Sequence, residues 1–333
     1  MRVSLLAYGL HRGGRSRIIC RLANGLTARG HDVTVLLLSG QPVAYPLYAQ
    51  VHRVPELTEP AIPRSDLVVP TSFGLVPVAM ERKGAVTVPL YTRFEPDLVY
   101  DHPTATRICG FPLPAIATAE PVARRLQQLS GRPCHVAQPG VDRSTFQPLP
   151  PARHEGPRRV CFLYRPEALG YGHKGNSDFW QAMELVRQHE PDLGLSLIVP
   201  DGLPVECPLP HRVEVVATDQ ELAACYRSAA LYVAASRTDG YQLSVLEAMA
   251  CGVPVVLTDS GGVRDYATPG ENCFMGLAGN VPMLADLMLA ALRRPDMTEG
   301  FVANGQATAR ERTWDRFVDQ AEAALLACLK AGG

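Results

Sequence analysis

Residues 236–265 read SRTDGYQLSVLEAMACGVPVVLTDSGGVRD, and this stretch decides the fold of the half that contains it. Asp239 and Glu247 stand eight positions apart, across a loop that runs into a helix. Gly252-Val253-Pro254 ends that helix, Val255, Val256 and Leu257 form a short apolar strand, and Gly261-Gly262 opens a second loop. The reading is a helix–strand–loop unit. Its first loop exposes backbone N–H groups beside the positive end of the helix dipole, which suits an anionic phosphate. A carboxylate about one turn into the helix suits a pair of sugar hydroxyls. Together these features are suited to a nucleotide sugar.

The other residues form a framework around this unit. The 333 residues suffice for two domains of ordinary size. Hydrophobic residues make up 47% and charged residues 20%, which predicts a globular protein with ample core. No apolar run is long enough to span a bilayer, and Met1–Tyr8 reads as a first buried strand and not as a signal peptide. Nine cysteines without a Cys-x-x-Cys pair argue for reduced thiols in the cytoplasm and against a zinc site. Residues 1–150 hold 16 Lys+Arg against 10 Asp+Glu, which leaves 16 against 23 for the remainder. The basic front half is compatible with an anionic acceptor or with peripheral contact at the inner face of a membrane. No basic stripe interleaved with aromatics points to nucleic acid.

The front half opens with a strand over Val3–Tyr8 and a loop containing Gly13 and Gly14. Ile18, Ile19, Leu22, Ala23 and Leu26 then recur at helical spacing, Gly30 closes the helix, and Val33–Leu38 is the second strand. Strand, crossover helix and strand in so short a span make a parallel βαβ unit. Further apolar runs lie at Leu67–Val69, Val86–Leu90 and Ala115–Ala117. The proline-rich piece from Gln147 to Pro157 is the best linker. After it the alternation restarts: Val160–Tyr164, a helix over Ser177–Gln188, Leu195–Val199, Val213–Val216, a helix from Gln220, and Leu231–Ala235. A last helix runs from Thr313 to about Lys330. The expected architecture is α/β, with two doubly wound Rossmann-like domains (1–150 and 151–312) facing a central cleft. The helix at 313–333 packs back on the first of them.

The stretch from Glu247 onward, Glu-Ala-Met-Ala-Cys-Gly-Val-Pro-Val-Val, resembles the donor-site segment of family 4 glycosyltransferases (glycosyltransferase group 1). These are retaining enzymes with the GT-B fold. Asp239 stands where that family usually has Glu, and Gln242 where it usually has Gly. Gly13-Gly14 is similar to the family's loop after the first strand, and Pro139-Gly140-Val141-Asp142 with Phe146 and Pro148 to its entry into the linker. Tyr91-Thr92-Arg93-Phe94-Glu95-Pro96 lacks the usual histidine and resembles rhamnosyltransferase-like members, which brings Arg93 and Glu95 into view. His11, His31, His52 and His102 receive no role.

The resemblance implies a site. Cleaving a nucleoside diphosphate from a sugar builds negative charge on the leaving group, and the site must stabilise it. The chain has no Asp-x-Asp loop to hold a metal, so fixed cations and N–H dipoles are expected instead, with no cofactor beyond the nucleotide-sugar donor. Arg165 and Lys174, in the first βα turn of the second half, match the family's diphosphate-holding pair. Asp239 faces the transferred sugar. Gly240, Tyr241, Gln242, Leu243 and Ser244 line the donor, with Gln242 close to the sugar or diphosphate. Glu247 takes the ribose hydroxyls, and Gly13 and Gly14 open the other wall. The implied activity is metal-independent transfer of a sugar, with retention, to an acceptor hydroxyl of unknown identity. Rival readings are a nucleotide-sugar epimerase, a sugar phosphorylase and a non-catalytic partner subunit.

Overall fold

The computed structural model describes residues 1–98, 101–149, 158–200 and 203–332, and the chain divides into two parallel-sheet units. One comprises Met1–Gly140 with Trp314–Gly333, the other Val141–Thr313. Most of the proline-rich piece, at 150–157, lies outside the described residues.

In the first unit the elements are β1 (Arg2–Ala7), α1 (Gly14–Ala28), β2 (Asp32–Leu38), β3 (Gln50–Val54), β4 (Leu67–Pro70) and α2 (Val76–Glu81). They continue with β5 (Val86–Thr87), β6 (Leu90–Tyr91), α3 (His102–Cys109), β7 (Ala115–Ala117), α4 (Glu120–Ser130) and β8 (Cys134–Val136). In the second unit they are β9 (Arg159–Leu163), α5 (Asn176–Arg187), β10 (Gly194–Pro200), β11 (Arg212–Val216), α6 (Asp219–Ser228) and β12 (Leu231–Ala234). Then follow α7 (Leu243–Ala250), β13 (Val255–Thr258), β14 (Phe274–Gly276), α8 (Val281–Arg293) and α9 (Pro295–Glu311). The last helix, α10 (Trp314–Gly332), belongs to the first unit.

The first unit has a five-stranded sheet of order β3-β2-β1-β4-β5 and a three-stranded sheet of order β6-β7-β8. Every pairing in both is parallel. The apolar run at 86–90 is two short strands because the chain changes sheet there. Val88 N–H donates to Val68 O of β4, whereas Pro89, which has no N–H to give, accepts from Ile116 of β7. The apolar stripe of α1 is buried in full, as its period requires. α10 packs against α1 at Gly25, where a Cβ would lie 2.4 Å from Val318 Cγ2, so only glycine permits the approach. Arg29 meets Glu322 at 2.6 Å and Asp319 at 2.5 Å across the same contact.

The second unit has a single sheet of order β11-β10-β9-β12-β13-β14, again parallel throughout. Its inner strands β9, β10, β12 and β13 are buried on both faces, so they read as continuous apolar runs without alternation, whereas the edge strand β11 is largely exposed. Phe162 of β9 stacks on Phe179 of α5 with centroids 4.1 Å apart, and Trp180 closes on both rings. Leu284 and Met288 of α8 complete that core. The strand order reverses between β9 and β12. In open α/β sheets ligands bind beyond the carboxyl ends of the strands at such a reversal. Among the described residues no helix is long and apolar enough to cross a membrane.

Candidate functional site

β9 and β12 deliver the candidate residues to the point of reversal. After β9 the chain passes Tyr164 and Arg165 and makes two short turns, Glu167–Leu169 and Gly172–Lys174, before α5. Asn176 Nδ2 donates to Arg165 O at 2.8 Å, which ties the two ends of this loop together. The Arg165 guanidinium carbon lies 5.9 Å from the centroid of Tyr171. Gly175 follows Lys174 with φ 70°, and a Cβ there would lie 2.0 Å from Ala235 O at the end of β12. That contact is with backbone, which cannot swing away, so glycine is required. Gly175→Ala is therefore expected to cost more than ~2 kcal/mol through strain and clash together. Chemical denaturation reads the loss, and a wild-type midpoint would contradict the close approach.

On the β12 side, Arg237 N–H donates to His173 O at 2.8 Å, and its guanidinium takes both oxygens of Asp178 at 2.8 and 2.7 Å. The two loops are thus bonded to each other before any ligand is considered. Lys174 Nζ lies 2.5 Å from Asp239 Oδ2, and Gly240 N–H donates to Asp239 Oδ1 at 2.8 Å. Burial pushes the Asp239 carboxyl pKa up, but Lys174, helped by His173 and the Gly240 N–H, more than offsets this and holds it below the ordinary range. The group is a fixed carboxylate beside a fixed ammonium.

From Asp239 the chain runs through Gly240 and Tyr241 to Gln242, which precedes α7 in the left-handed conformation. The side chain of Gln242 is buried between Ser236 and Ser260. No side chain caps α7, whose first amides, including those of Leu243 and Ser244, therefore form a positive terminus. Glu247 lies in the second turn of α7 and is 3% exposed; the Tyr226 hydroxyl is 3.4 Å from its Oε2. Tyr226 in turn meets Tyr232 edge-on at 5.1 Å.

The structure thus places Arg165 and Lys174 on the β9–α5 connection, Asp239, Gly240, Tyr241 and Gln242 on the β12–α7 connection, and Leu243, Ser244 and Glu247 in the first two turns of α7. Gly13 and Gly14 open α1 in the first unit, where Gly13 N–H donates to Tyr45 Oη at 3.0 Å. Arg12 and Arg17 approach the Tyr45 ring at 5.3 and 5.2 Å. Glu95 is buried and accepts from Arg93 Nε at 3.1 Å and from Arg15, so with Arg93 it forms an ion cluster within that unit. His11 bonds Gln41, His31 bonds Glu322 and His102 bonds Pro96 O. The sequence reading missed Asp178, Arg237, Ser236, Ser260 and Tyr266, which brace the loops. Only their type could have signalled them, because each acts through a partner distant in sequence.

Residues 162–294, from β9 to the end of α8, match the family Glycosyl transferases group 1. Over this stretch the chain is similar to group 1 glycosyltransferases. The matched stretch contains Arg165, Lys174, Asp239 and Glu247. Among curated relatives, D-inositol 3-phosphate glycosyltransferase of Paenarthrobacter aurescens is 30% identical over 158 residues, which are 41% of this chain and 37% of that protein. Phosphatidyl-myo-inositol mannosyltransferase of Mycobacterium leprae is 28% identical over 182 residues, 46% of this chain and 47% of that protein. The chain matches less than half the length of these curated relatives. Among solved structures, HepE of Anabaena in complex with UDP-glucose superposes with a TM-score of 0.80. It covers 98% of this chain and 100% of that one at 18% identity. The fold of the chain is GT-B.

Proposed function

We propose that the chain is a retaining glycosyltransferase that moves a sugar from a nucleoside-diphosphate donor to an acceptor hydroxyl without a metal ion. The observation that carries this reading is the Lys174–Asp239 contact at the strand-order reversal of the matched stretch, with Arg165 on the same loop as Lys174. The UDP-glucose in HepE supports a nucleotide-sugar donor.

In this mechanism Glu247 accepts hydrogen bonds from the ribose hydroxyls and fixes the nucleotide end. Lys174, Arg165 and the N-terminus of α7 face the diphosphate, whose charge grows as the sugar C1–O bond breaks; donors fixed in advance stabilise that charge without reorganising. Asp239 holds a hydroxyl of the sugar while Lys174 bridges it to the phosphate. The acceptor oxygen forms its bond to C1 on the face the diphosphate leaves, and the acceptor proton passes to a diphosphate oxygen. No protein nucleophile is needed, and configuration is retained. All nine cysteines are unpaired, which supports a reducing compartment, the cytoplasm. The basic excess of residues 1–150 supports an acceptor that is anionic or lies at the inner face of a membrane.

The test is release of nucleoside diphosphate from a nucleotide-sugar panel, in the presence of a chelator and with hydroxyl acceptors added. The expected result is acceptor-dependent release and a product whose anomeric configuration matches the donor. Inversion, or donor consumption equal with and without acceptor, would contradict the proposal.

A further inference from the structure

Gln242 has φ 57° and ψ 60°, the single left-handed conformation of a non-glycine residue among the described residues. A Cβ in that conformation crowds the following carbonyl, so the conformation persists only where its surroundings hold it. Here they are polar and buried. Gln242 Nε2 donates to Ser236 Oγ at 2.9 Å, Ser260 Oγ donates to Gln242 Oε1 at 3.1 Å, and the Tyr266 hydroxyl donates to Gln242 O at 2.9 Å. All four residues are buried. The side chain therefore spans from the end of β12 to the loop after β13. Two further bonds join the same segments: Thr258 Oγ1 to Ser236 O at 2.7 Å, and Asp239 N to Ser260 O at 3.0 Å.

Asp239 sits inside this clasp. Its N–H is taken by Ser260, and its Oδ2 lies 3.5 Å from Ser236 Oγ. Ser236 accepts from the Gln242 amide, so its own proton is free to point at Asp239, and a chain of such bonds polarises along its length. Glycine would adopt the backbone of position 242 without strain but would bridge nothing. A residue that incurs strain for its backbone and spends every polar atom of its side chain on a bridge acts through that bridge.

We infer that Gln242 is a positioning residue whose side chain, through Ser236 and Ser260, fixes the place of the Asp239 carboxylate. Its consequence for turnover rests on the donor-site reading above. Asp is one methylene shorter than the Glu of the resembling family, so this carboxylate has less reach to spare, and a loose loop would withdraw it from the sugar.

The experiment compares wild type with Gln242→Gly, which removes the strain and the bridge, and Gln242→Met, which keeps volume and strain but not the bridge. The Asp239 carboxyl is followed by carbon NMR in protein labelled at aspartate, with Asp239→Asn to assign its signal. In both variants the Asp239 signal is expected to move and to titrate higher, because a donor to the charged form is loosened. Turnover is expected to fall ~10-fold in kcat while nucleoside-diphosphate affinity stays within about 2-fold of wild type. A purely structural role would lower the melting midpoint and leave the Asp239 signal and kcat where they are; that result overturns the inference. If wild type consumes no nucleotide sugar, the transfer reading fails, and the Asp239 signal still decides the role of Gln242.

Discussion

Replacing Lys174 with methionine is expected to lower stability by ~2–4 kcal/mol at neutral pH and turnover by about 100- to 1000-fold. The stability term comes from Asp239. Its side chain is 13% exposed and that of Lys174 24%, so the pair is sheltered without being fully buried, and the cost falls somewhat below that of breaking a fully buried pair. The pH dependence distinguishes this cause from simple loss of packing. In wild type the folded-state pKa of Asp239 lies below its unfolded value, so the group stabilises the fold above about pH 4 and loses that contribution as pH falls through the folded value. In Lys174→Met burial acts without its counterweight and pushes the carboxyl up. The variant then carries a penalty at neutral pH that is relieved on protonation as pH falls. The gap between the two proteins should narrow from pH 7 to pH 4 in denaturant titrations. A gap independent of pH would show that Lys174 does not hold Asp239 ionised. Pairing Lys174→Met with Asp239→Asn should recover much of the stability and none of the turnover.

Glu247→Ala is expected to weaken nucleoside-diphosphate binding ~100-fold or more, since two hydrogen bonds from a ribose diol to a carboxylate are lost together. Glu247 is buried, with the Tyr226 hydroxyl 3.4 Å from its Oε2. In the proposed site the ribose hydroxyls are the donors that a bound nucleotide adds to this carboxylate. Glu247→Gln keeps the shape and loses the charge, so it should fall between wild type and Glu247→Ala. Equal affinity for all three would remove Glu247 from the site.

The strands were the most legible part of the fold. Those expected at Val3–Tyr8, Leu195–Val199 and Leu231–Ala235 are observed at Arg2–Ala7, Gly194–Pro200 and Leu231–Ala234, because strands buried on both faces show as unbroken apolar runs. β3, with the sequence QVHRV, is an edge strand exposed at four of its five positions, and a strand with little to bury leaves little pattern. α9 is hidden for another reason. It contains Gly300 and Gly305, poor helix formers, and Gly305 lies where a Cβ would come within 3.2 Å of Met249 Cγ of α7, so packing and not propensity shapes it.

At the site, Asp239 and Glu247 stood out by their spacing across a loop and helix, and Arg165 and Lys174 by their resemblance to the family's diphosphate-holding pair. The Lys174–Asp239 contact joins residues 65 positions apart and exists only because the strand order sets β9 beside β12. The inward turn of Gln242 could not be read at all, since side-chain direction follows from a backbone conformation that glutamine rarely adopts.

The central claim is that the β9–α5 and β12–α7 connections bind a nucleoside diphosphate. Its most direct test is thermal unfolding of wild type and Glu247→Ala against a panel of nucleoside diphosphates and nucleotide sugars. At 100 times the dissociation constant, a bound nucleotide should stabilise wild type by ~2.7 kcal/mol, with a clear preference for one base and no response from Glu247→Ala. A wild type indifferent to every nucleotide, or a Glu247→Ala variant that responds equally, would contradict the account.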